Sequence, residues 1–288
     1  MRRRSVRMVL VAKSITEGAG VRLNRAFGQK EAADFDPFLL LDHFRSFDPN
    51  DFEAGFPFHP HRGIQTVTYL ISGSIEHQDS LGNWGKIGPG EVQWMIAGSG
   101  ILHQEMPRAG REGINGFQLW VNLPRDQKLV NPSYQDFRSA DIPTIWTEEG
   151  ARIKIIAGSR NGVQGAMKEM VVKIGLFHTE LPPRAEWSAS IPHDDLAFAH
   201  IFEGGINVLE DDHSKAIQNN STILFTQGDC IMAQAGEKGC QFLFAHGTPL
   251  KEPMAWRGPI VMNTQKELDL AFEELRQGNF VKIKSGFV

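Results

Sequence analysis

The sequence predicts an all-β fold, an antiparallel sandwich or barrel that the chain builds twice. Short runs of Val, Ile, Leu, Phe and Trp are interrupted about every eight to twelve residues by Gly, Pro, Asn or Asp, as in antiparallel sheets. A pattern in the first half of the chain returns in the second half. Helical periodicity is confined to the C-terminal end, where it predicts one short helix.

The predicted strands of the first half follow from this rhythm of apolar runs and turn residues. They cover residues 6–12, 21–26, 38–44, 66–71, 92–96 and 116–123. Residues 131–141 are polar and flanked by proline, which is typical of a linker between domains. Strand-sized apolar runs then resume at residues 153–157 and 171–177.

Composition limits the classes of function. The chain has 288 residues, 41% of them hydrophobic, and a formal net charge of −4. Such a chain can bury real cores, and its charge gives no general attraction to nucleic acid or anionic membranes. Cys230 and Cys240 form no C-x-x-C motif, so we expect buried, reduced thiols and a cytoplasmic location. The apolar run at residues 8–12 is too short for a signal sequence or a membrane span.

Two segments carry side chains that can bind a metal ion. His59 and His61 are two residues apart, and so are His103 and Glu105. Residues two apart on a strand point to the same face, so each pair can converge on one point. Three imidazoles and a carboxylate suit iron, manganese, nickel, zinc or copper. Unlinked structural histidines are the alternative, but the second pair about forty residues later favours a metal site.

The internal repeat predicts that only the first half holds such a site. Residues 68–75 align with residues 199–206, and residues 89–92 align with residues 227–230. At these offsets the four candidate ligands fall on or near Ser190, Pro192, Gln241 and Leu243, none of which restores a ligand pair. We therefore expect a metal-binding domain over residues 1–135 and a metal-free domain over residues 136–288, which includes the terminal helix.

That helix is predicted by its start, its apolar stripe and its stop. Residues 264–267, Thr-Gln-Lys-Glu, form a capping box, and Gly278 supplies a C-terminal signal. Between them lies a narrow apolar stripe of Leu268, Ala271, Phe272 and Leu275. A stripe this narrow favours docking on the helix's own barrel over docking on a partner.

The chain resembles the pirin family of the cupin superfamily along nearly its whole length. The most specific matches are residues 38–44, 58–63, 93–106 and 249–264. The resemblance implies a bicupin, two antiparallel β-barrels (double-stranded β-helices) packed face to face, with one iron(II) in the N-terminal barrel. It assigns His59, His61, His103 and Glu105 as ligands. Gln65 departs from the pattern, because pirins usually carry Glu there, and an amide cannot act as an anionic ligand or a base.

The resemblance also implies two functions. The first is a metal-dependent dioxygenase that opens flavonols such as quercetin with O₂, a quercetin 2,3-dioxygenase-like reaction. Glu105 is then the group that takes the proton of the flavonol 3-hydroxyl. The alternative is a non-catalytic iron-binding regulator that acts through protein partners, as a transcription cofactor or a modulator of a metabolic enzyme. Five further residues are candidates for a substrate pocket or for core packing: Phe56, Phe58, Trp94, Met106 and Gln118.

Overall fold

The computed structural model describes residues 2–211 and 213–283, and strands dominate these residues. The strands of the first half are β1 (Val6–Val11), β2 (Lys13–Glu17), β3 (Val21–Phe27), β4 (Phe38–Ser46), β5 (Phe56–His61), β6 (Ile64–Ser72), β7 (Ser74–Asp79), β8 (Trp84–Ile87), β9 (Val92–Ile96), β10 (Ile101–Arg108), β11 (Ile114–Asn122) and β12 (Ser133–Phe137).

The second half continues the same pattern and ends in a helix. Its strands are β13 (Thr144–Trp146), β14 (Arg152–Ala157), β15 (Ser159–Arg160), β16 (Val163–Gln164), β17 (Ile174–Leu181), β18 (Glu186–Ser190), β19 (Leu196–Leu209), β20 (Ser214–Gln218), β21 (Ser221–Phe225), β22 (Cys230–Gly247), β23 (Ala255–Arg257) and β24 (Ile260–Met262). The helices are α1 (Ala32–Phe35) and α2 (Gln265–Arg276), with single 3₁₀ turns at Pro49–Asp51, Arg125–Gln127 and Ser139–Asp141.

Contacts divide the chain into two compact units. The N-terminal segment belongs to the unit formed by the second half of the chain, and the C-terminal segment belongs to the unit formed by the first half. The first unit comprises Ser14–Ala32, Pro37–Ser139 and the chain from Leu250 on. The second unit comprises the chain up to Lys13, Ala33–Asp36 and Ala140–Pro249. This division differs from the domain boundaries expected above at both ends. Strand β1 pairs with β21 of the second unit, and α2 packs in the first unit, so each terminal segment joins the half that is distant in sequence.

In the first unit two antiparallel sheets enclose the region of interest. One sheet has the strand order β5-β10-β7-β8, and the other has the order β12-β9-β6-β11-β4-β3-β2. The chain passes from the small sheet to the large one at Gly63 and returns at Gly73, with φ angles of +76° and +80° that favour glycine. Side chains of β5, β10 and β11 line one cavity, which therefore lies between the sheets.

The second unit is built mainly from one larger sheet, with the separate β15-β16 hairpin beside it, and has its own hydrophobic core. Its main path is β1-β21-β19-β22-β17-β14-β13, with β18 paired to β22 and β20 paired to β19. The core includes Phe177, Trp187, Phe242 and Phe244. The all-β prediction is confirmed. Within residues 2–211 and 213–283, the strands of each unit are paired in open sheets and not in a closed ring.

The C-terminal helix forms where the sequence predicts it. Thr264 is its N-cap, and Thr264 and Glu267 exchange the two hydrogen bonds of a capping box. Leu268 and Ala271 are buried in a cluster with Ile260 and Met262 of β24 and with Phe280. The helix thus docks on its own chain. No helix among residues 2–211 and 213–283 has the length and apolarity needed to cross a lipid bilayer.

The crossing at Gly63 gives a first prediction. An ideal Cβ on Gly63 would lie 1.9 Å from the Val261 carbonyl oxygen, whereas a Cβ on Gly258 would meet no described atom within 4 Å. Both glycines have positive φ, so alanine at either position costs about 1 kcal/mol of backbone strain. We expect Gly258→Ala to lose only this amount and Gly63→Ala to lose about 3 kcal/mol or more, because it must also displace β24.

Differential scanning calorimetry of the two variants checks this expectation. A clear separation of their unfolding temperatures, with Gly63→Ala the lower, is the expected result. Equal losses in both variants would show that β24 does not lie against the β5–β6 turn.

Candidate metal centre

Three of the four predicted ligands meet at one point in the first unit. His59 and His61 project from the same face of β5, and His103 lies opposite His59 on the neighbouring strand β10. The imidazole ring centroids are 4.4 to 4.9 Å apart. Ligand-capable nitrogens of all three lie within 4.8 Å of one another, and this is the single such group that the described residues contain.

Backbone carbonyls fix which nitrogens of His59 and His61 face the centre. Nδ1 of His59 lies 3.0 Å from the Pro57 carbonyl oxygen, and Nδ1 of His61 lies 3.2 Å from that of Pro259. A carbonyl can only accept, so each Nδ1 carries the hydrogen and each Nε2 presents a lone pair.

The two Nε2 atoms are 3.1 Å apart, although neither carries a hydrogen in this tautomer. Two lone pairs at this distance repel unless a cation lies between them. Nitrogens at right angles around an ion, each about 2.1 Å from it, are about 3.0 Å apart. The observed separation of His59 and His61 therefore fits two ligands of one metal ion.

Burial keeps the cluster in its metal-binding form. Desolvation lowers the pKa of His61 and of His103 well below the usual value, and the neighbouring histidines lower it further. The neutral imidazole is the form that binds metals. Nε2 of His103 is buried and has no hydrogen-bond partner among residues 2–211 and 213–283. A buried nitrogen without a partner is costly in a pure protein site, but it is expected of a metal ligand.

Glu105, the fourth predicted ligand, lies beside this group and not within it. The pairing of β10 with β5 shifts register between His103 and Glu105, so Glu105 faces Phe56. Its buried carboxylate accepts hydrogen bonds from Gln118 Nε2, at 2.9 and 3.1 Å, and from Thr68 Oγ1 at 3.3 Å. The structure thus brings three predicted ligands together and holds the carboxylate at the edge of the same cavity.

A tryptophan sets the orientation of the amide that holds Glu105. The indole Nε1 of Trp120 donates to Gln118 Oε1 at 3.2 Å. Because an indole N–H only donates, the amide oxygen must face Trp120 and the NH₂ group must face Glu105. The Trp120 ring also stands edge-on to His61, with centroids 4.9 Å apart. One chain of contacts therefore links His61, Trp120, Gln118 and Glu105.

These residues open onto a cavity of about 590 Å³. Part of its wall is apolar, including Leu23, Leu40, Phe44, Phe52 and Ile75. Elsewhere the wall carries the guanidinium of Arg25, which donates two hydrogen bonds of 2.8 Å to Asp42. Arg25 also bonds Glu17 at 3.1 Å. Burial raises the pKa of Asp42, and the bonds from Arg25 only partly oppose it.

The structure corrects the predicted substrate pocket. Phe56 and Gln118 line the cavity, but Phe58, Trp94 and Met106 are not part of its wall among the described residues. Phe58 and Met106 alternate with His59 and Glu105 along their strands, so they point the other way, and Phe58 is 50% exposed.

Trp94 and Gln65 lie on the far face of the large sheet. Thr68 of β6 reaches Glu105, so alternation places Gln65 and Val67 on the opposite face. Trp94 pairs with Val67 and shares that face. The departure from the pirin pattern at Gln65 therefore lies away from the cavity, and it does not alter the surroundings of the three histidines directly.

The C-terminal segment is hydrogen-bonded to β5, which carries His59 and His61, and to Arg62, which follows it. Besides the Pro259 carbonyl at His61, the backbone N–H of Val261 donates to the Arg62 carbonyl at 3.1 Å. The buried Arg62 guanidinium donates to Glu274 of α2 at 2.7 Å and to the Phe280 carbonyl at 2.8 Å. Burial works to raise the pKa of Glu274, but hydrogen bonds from Lys282 and Arg62 hold it below its ordinary value.

Sequence reasoning missed most of these supporting residues. Arg25, Asp42 and Pro259 are distant in sequence from the H-x-H motif, and only the pairing of strands brings them to the cavity. His77 of β7 is also buried, and it contacts Tyr134 and Asp136. The match of residues 249–264 to the pirin pattern was the one signal that the C-terminal segment matters to the site.

The ion pair between Arg62 and Glu274 gives a second prediction. Glu274→Gln leaves the buried Arg62 charge without its carboxylate partner, and Arg62 directly follows His61. We expect this change to lower metal affinity by about tenfold, as is typical when a supporting partner of a metal ligand is lost. Competition with a colorimetric chelator for Fe(II) or Zn(II) measures the effect.

The matched control is Glu273→Gln on the same helix, where Glu273 bonds only the exposed Arg276 and Gln277 among the described side chains. Its affinity should stay within about twofold of wild type. If both variants bind metal with equal affinity, the ion pair between Arg62 and Glu274 does not position His61.

Comparison with known proteins agrees with this architecture. The pirin family model matches residues 20–121, and the model of the pirin C-terminal cupin domain matches residues 176–281. The chain is 38% identical to a pirin-like protein of Caulobacter vibrioides, with 96% of this chain and 99% of that protein covered. It is 36% identical to the pirin of Homo sapiens, with 99% and 94% covered.

Solved structures give the same answer. The crystal structure of quercetin 2,3-dioxygenase from Acinetobacter baumannii superposes with a TM-score of 0.88 at 30% identity, covering 96% of this chain and 98% of that one. Two matched domain models, relatives aligned over nearly their whole length and a similar fold together identify the chain. It belongs to the pirin family of cupin proteins.

Proposed function

We propose that this protein is an iron(II)-dependent dioxygenase of the pirin type that opens flavonols such as quercetin with O₂. The observation that carries the proposal is a cluster of three histidine nitrogens, two of whose histidines, His59 and His61, line a cavity of about 590 Å³. This volume suits a flat polyphenol of drug-like size. The solved relative from Acinetobacter baumannii is named as a quercetin 2,3-dioxygenase, which supports the same reaction class.

In this proposal His59, His61 and His103 hold the ion through Nε2, and Glu105 completes the set. Three nitrogens and one oxygen are acceptable to iron(II), and also to manganese, nickel, zinc and copper. When bound, iron supplies Lewis acidity toward a substrate oxygen and one-electron chemistry toward O₂. With these four side chains as its ligands, the ion would keep room for a substrate oxygen if its coordination number were five or six.

Glu105 acts as the base in this proposal. The flavonol 3-hydroxyl O–H bond breaks, its proton moves to a carboxylate oxygen of Glu105, and the electron pair stays on the substrate oxygen. Gln118 and Thr68 donate to the carboxylate and hold it in one orientation at the cavity wall. A fixed base spends no free energy on reorientation during the reaction.

The remaining wall is suited to a polyphenol. Phe44, Phe52 and Leu23 offer flat apolar surface for aromatic rings. The carboxylates of Asp42 and Glu17, held by Arg25, offer acceptors for phenolic hydroxyls away from the reacting group. We propose that this pair orients the substrate so that its 3-hydroxyl reaches Glu105.

The regulator implied by family resemblance uses the same histidines, so metal binding alone does not separate the two functions. Ring opening does. A protein that binds iron at the three histidines and consumes no O₂ with any flavonol would be assigned to the regulator class, acting through a protein partner.

A third prediction tests the role of Glu105. Iron(II)-loaded protein should consume O₂ and quercetin in equal amounts, and Glu105→Ala should lower kcat by about 100-fold or more, as expected for loss of a positioned base. Glu76→Ala is the matched control, because Glu76 lies on the neighbouring strand β7 and pairs with the surface residues Lys86 and Arg108.

Oxygen-electrode and absorbance assays at fixed iron occupancy measure both quantities. Absence of O₂ consumption by fully loaded wild type would overturn the enzyme assignment. Unchanged turnover in Glu105→Ala would remove the base from the mechanism.

A fourth prediction concerns Trp120. Trp120→Phe keeps an aromatic ring beside His61 but removes the N–H that orients Gln118. We expect kcat to fall about fivefold, the value of one ordinary hydrogen bond, with KM for quercetin nearly unchanged. Trp256→Phe is the control, since Trp256 also lines the cavity but its Nε1 donates to the Gly258 carbonyl. Equal effects of the two variants would contradict the proposed role of Trp120.

A further inference from the structure

The second unit contains a cavity of its own, of about 570 Å³, that the proposed reaction does not use. Aromatic rings form much of its wall: Trp146, Phe177, Trp187, Phe244 and His246. Phe177, Phe244 and His246 stack or tilt against one another, with ring centroids 5.9 to 6.0 Å apart. Trp187 packs edge-on against Phe244. The cavity therefore offers flat surfaces to a planar molecule.

Trp146 is exposed although it lines this cavity. The residue is 70% exposed. An exposed indole beside a cavity with an aromatic wall is well placed to cover a ring bound within it.

A tight hairpin brings one arginine to the cavity. Strands β15 and β16 are joined by Asn161 and Gly162, whose φ angles are +49° and +78°. Two consecutive residues with positive φ, Asn followed by Gly, are typical of the type I′ turn, which makes a rigid connection. The hairpin holds Arg160 so that its guanidinium lies 5.4 Å from the Trp187 ring centroid.

Among the described residues, no acidic side chain forms an ion pair with Arg160. Its Nη2 donates to the Ser188 carbonyl, and its buried Nε has no hydrogen-bond partner within residues 2–211 and 213–283. Over the same residues Arg160 forms no ion pair, and burial lowers its pKa with no opposing carboxylate. The acidic residues of the cavity wall, Glu148, Glu149 and Glu186, are exposed and do not reach it. A partly buried guanidinium without an anion is costly unless a ligand supplies the charge.

The repeat predicts no metal-ligand pair in this half of the chain. The repeat puts Ser190, Pro192 and Gln241 at or near the positions of the three histidines, and Leu243 at the position of Glu105. Besides the three exposed glutamates and several hydroxyl groups, this cavity is lined by aromatic rings and by one guanidinium, that of Arg160. The rings and the guanidinium together suit an aromatic anion.

We propose that the cavity of the second unit is a binding site for a planar aromatic carboxylate. The ring of the ligand packs on Trp146 and Trp187, and its carboxylate pairs with Arg160 through a charge-assisted hydrogen bond. This site is separate from the histidine cluster and does not depend on the reaction proposed there.

The probe is 2-naphthoate, with the neutral 2-naphthamide as its matched control, and calorimetric titration of the full-length protein measures binding. We expect saturable 2-naphthoate binding at one site. Arg160→Gln should weaken it about tenfold or more, the value of a hydrogen bond between charged groups, while binding of 2-naphthamide changes less than twofold. Trp146→Ala, at an exposed position, should weaken both probes.

Two results would overturn the proposal. One is 2-naphthoate affinity that is the same in wild type, Arg160→Gln and Trp146→Ala, or no saturable binding at all. The other is loss of 2-naphthoate binding in His103→Ala, which would place the anion at the histidine cluster. Retained binding in His103→Ala together with loss in Arg160→Gln supports the second-unit site.

Discussion

The arrangement of the site depends on two backbone carbonyls, those of Pro57 and Pro259. Each accepts the Nδ1 hydrogen of one histidine and thereby directs an Nε2 lone pair toward the other, at 3.1 Å. Without a cation this geometry is repulsive, and with one it is a partly assembled coordination shell. Everything that holds β5 and Pro259 in place therefore supports the proposed metal site.

This constraint explains why residues far apart in sequence converge. Gly63 lets the chain cross between the two sheets directly after the histidine pair, and β24 packs against that crossing. Arg62 then ties the strand to α2 and Phe280. On the cavity side, Trp120 and Gln118 connect His61 to Glu105, so the supports of the metal site and of the proposed base are the same side chains.

Much of this could be predicted from sequence alone. The H-x-H pair, the later His103 and the capping box at Thr264 are local patterns whose spacing fixes their geometry, and the structure follows them. The lining of the pocket was harder to predict than the histidine cluster. Phe58, Trp94 and Met106 would suit a substrate pocket or core packing equally well, and only the strand register decides which face of the sheet they occupy. The register shift that separates Glu105 from the histidine cluster leaves no mark in the sequence. The exchange of terminal segments between the units depends on pairings across more than 200 residues, such as Val6 with Phe225 and Arg62 with Glu274.

The most direct test of the account is the location of the ion itself. Crystals of anaerobically iron(II)-loaded protein, measured at the iron absorption edge, should give one anomalous peak about 2.1 Å from Nε2 of His59, His61 and His103. An iron ion located next to Nδ1 of these histidines, or located away from all three, would contradict the account. The absence of any anomalous peak at full iron loading would contradict it as well.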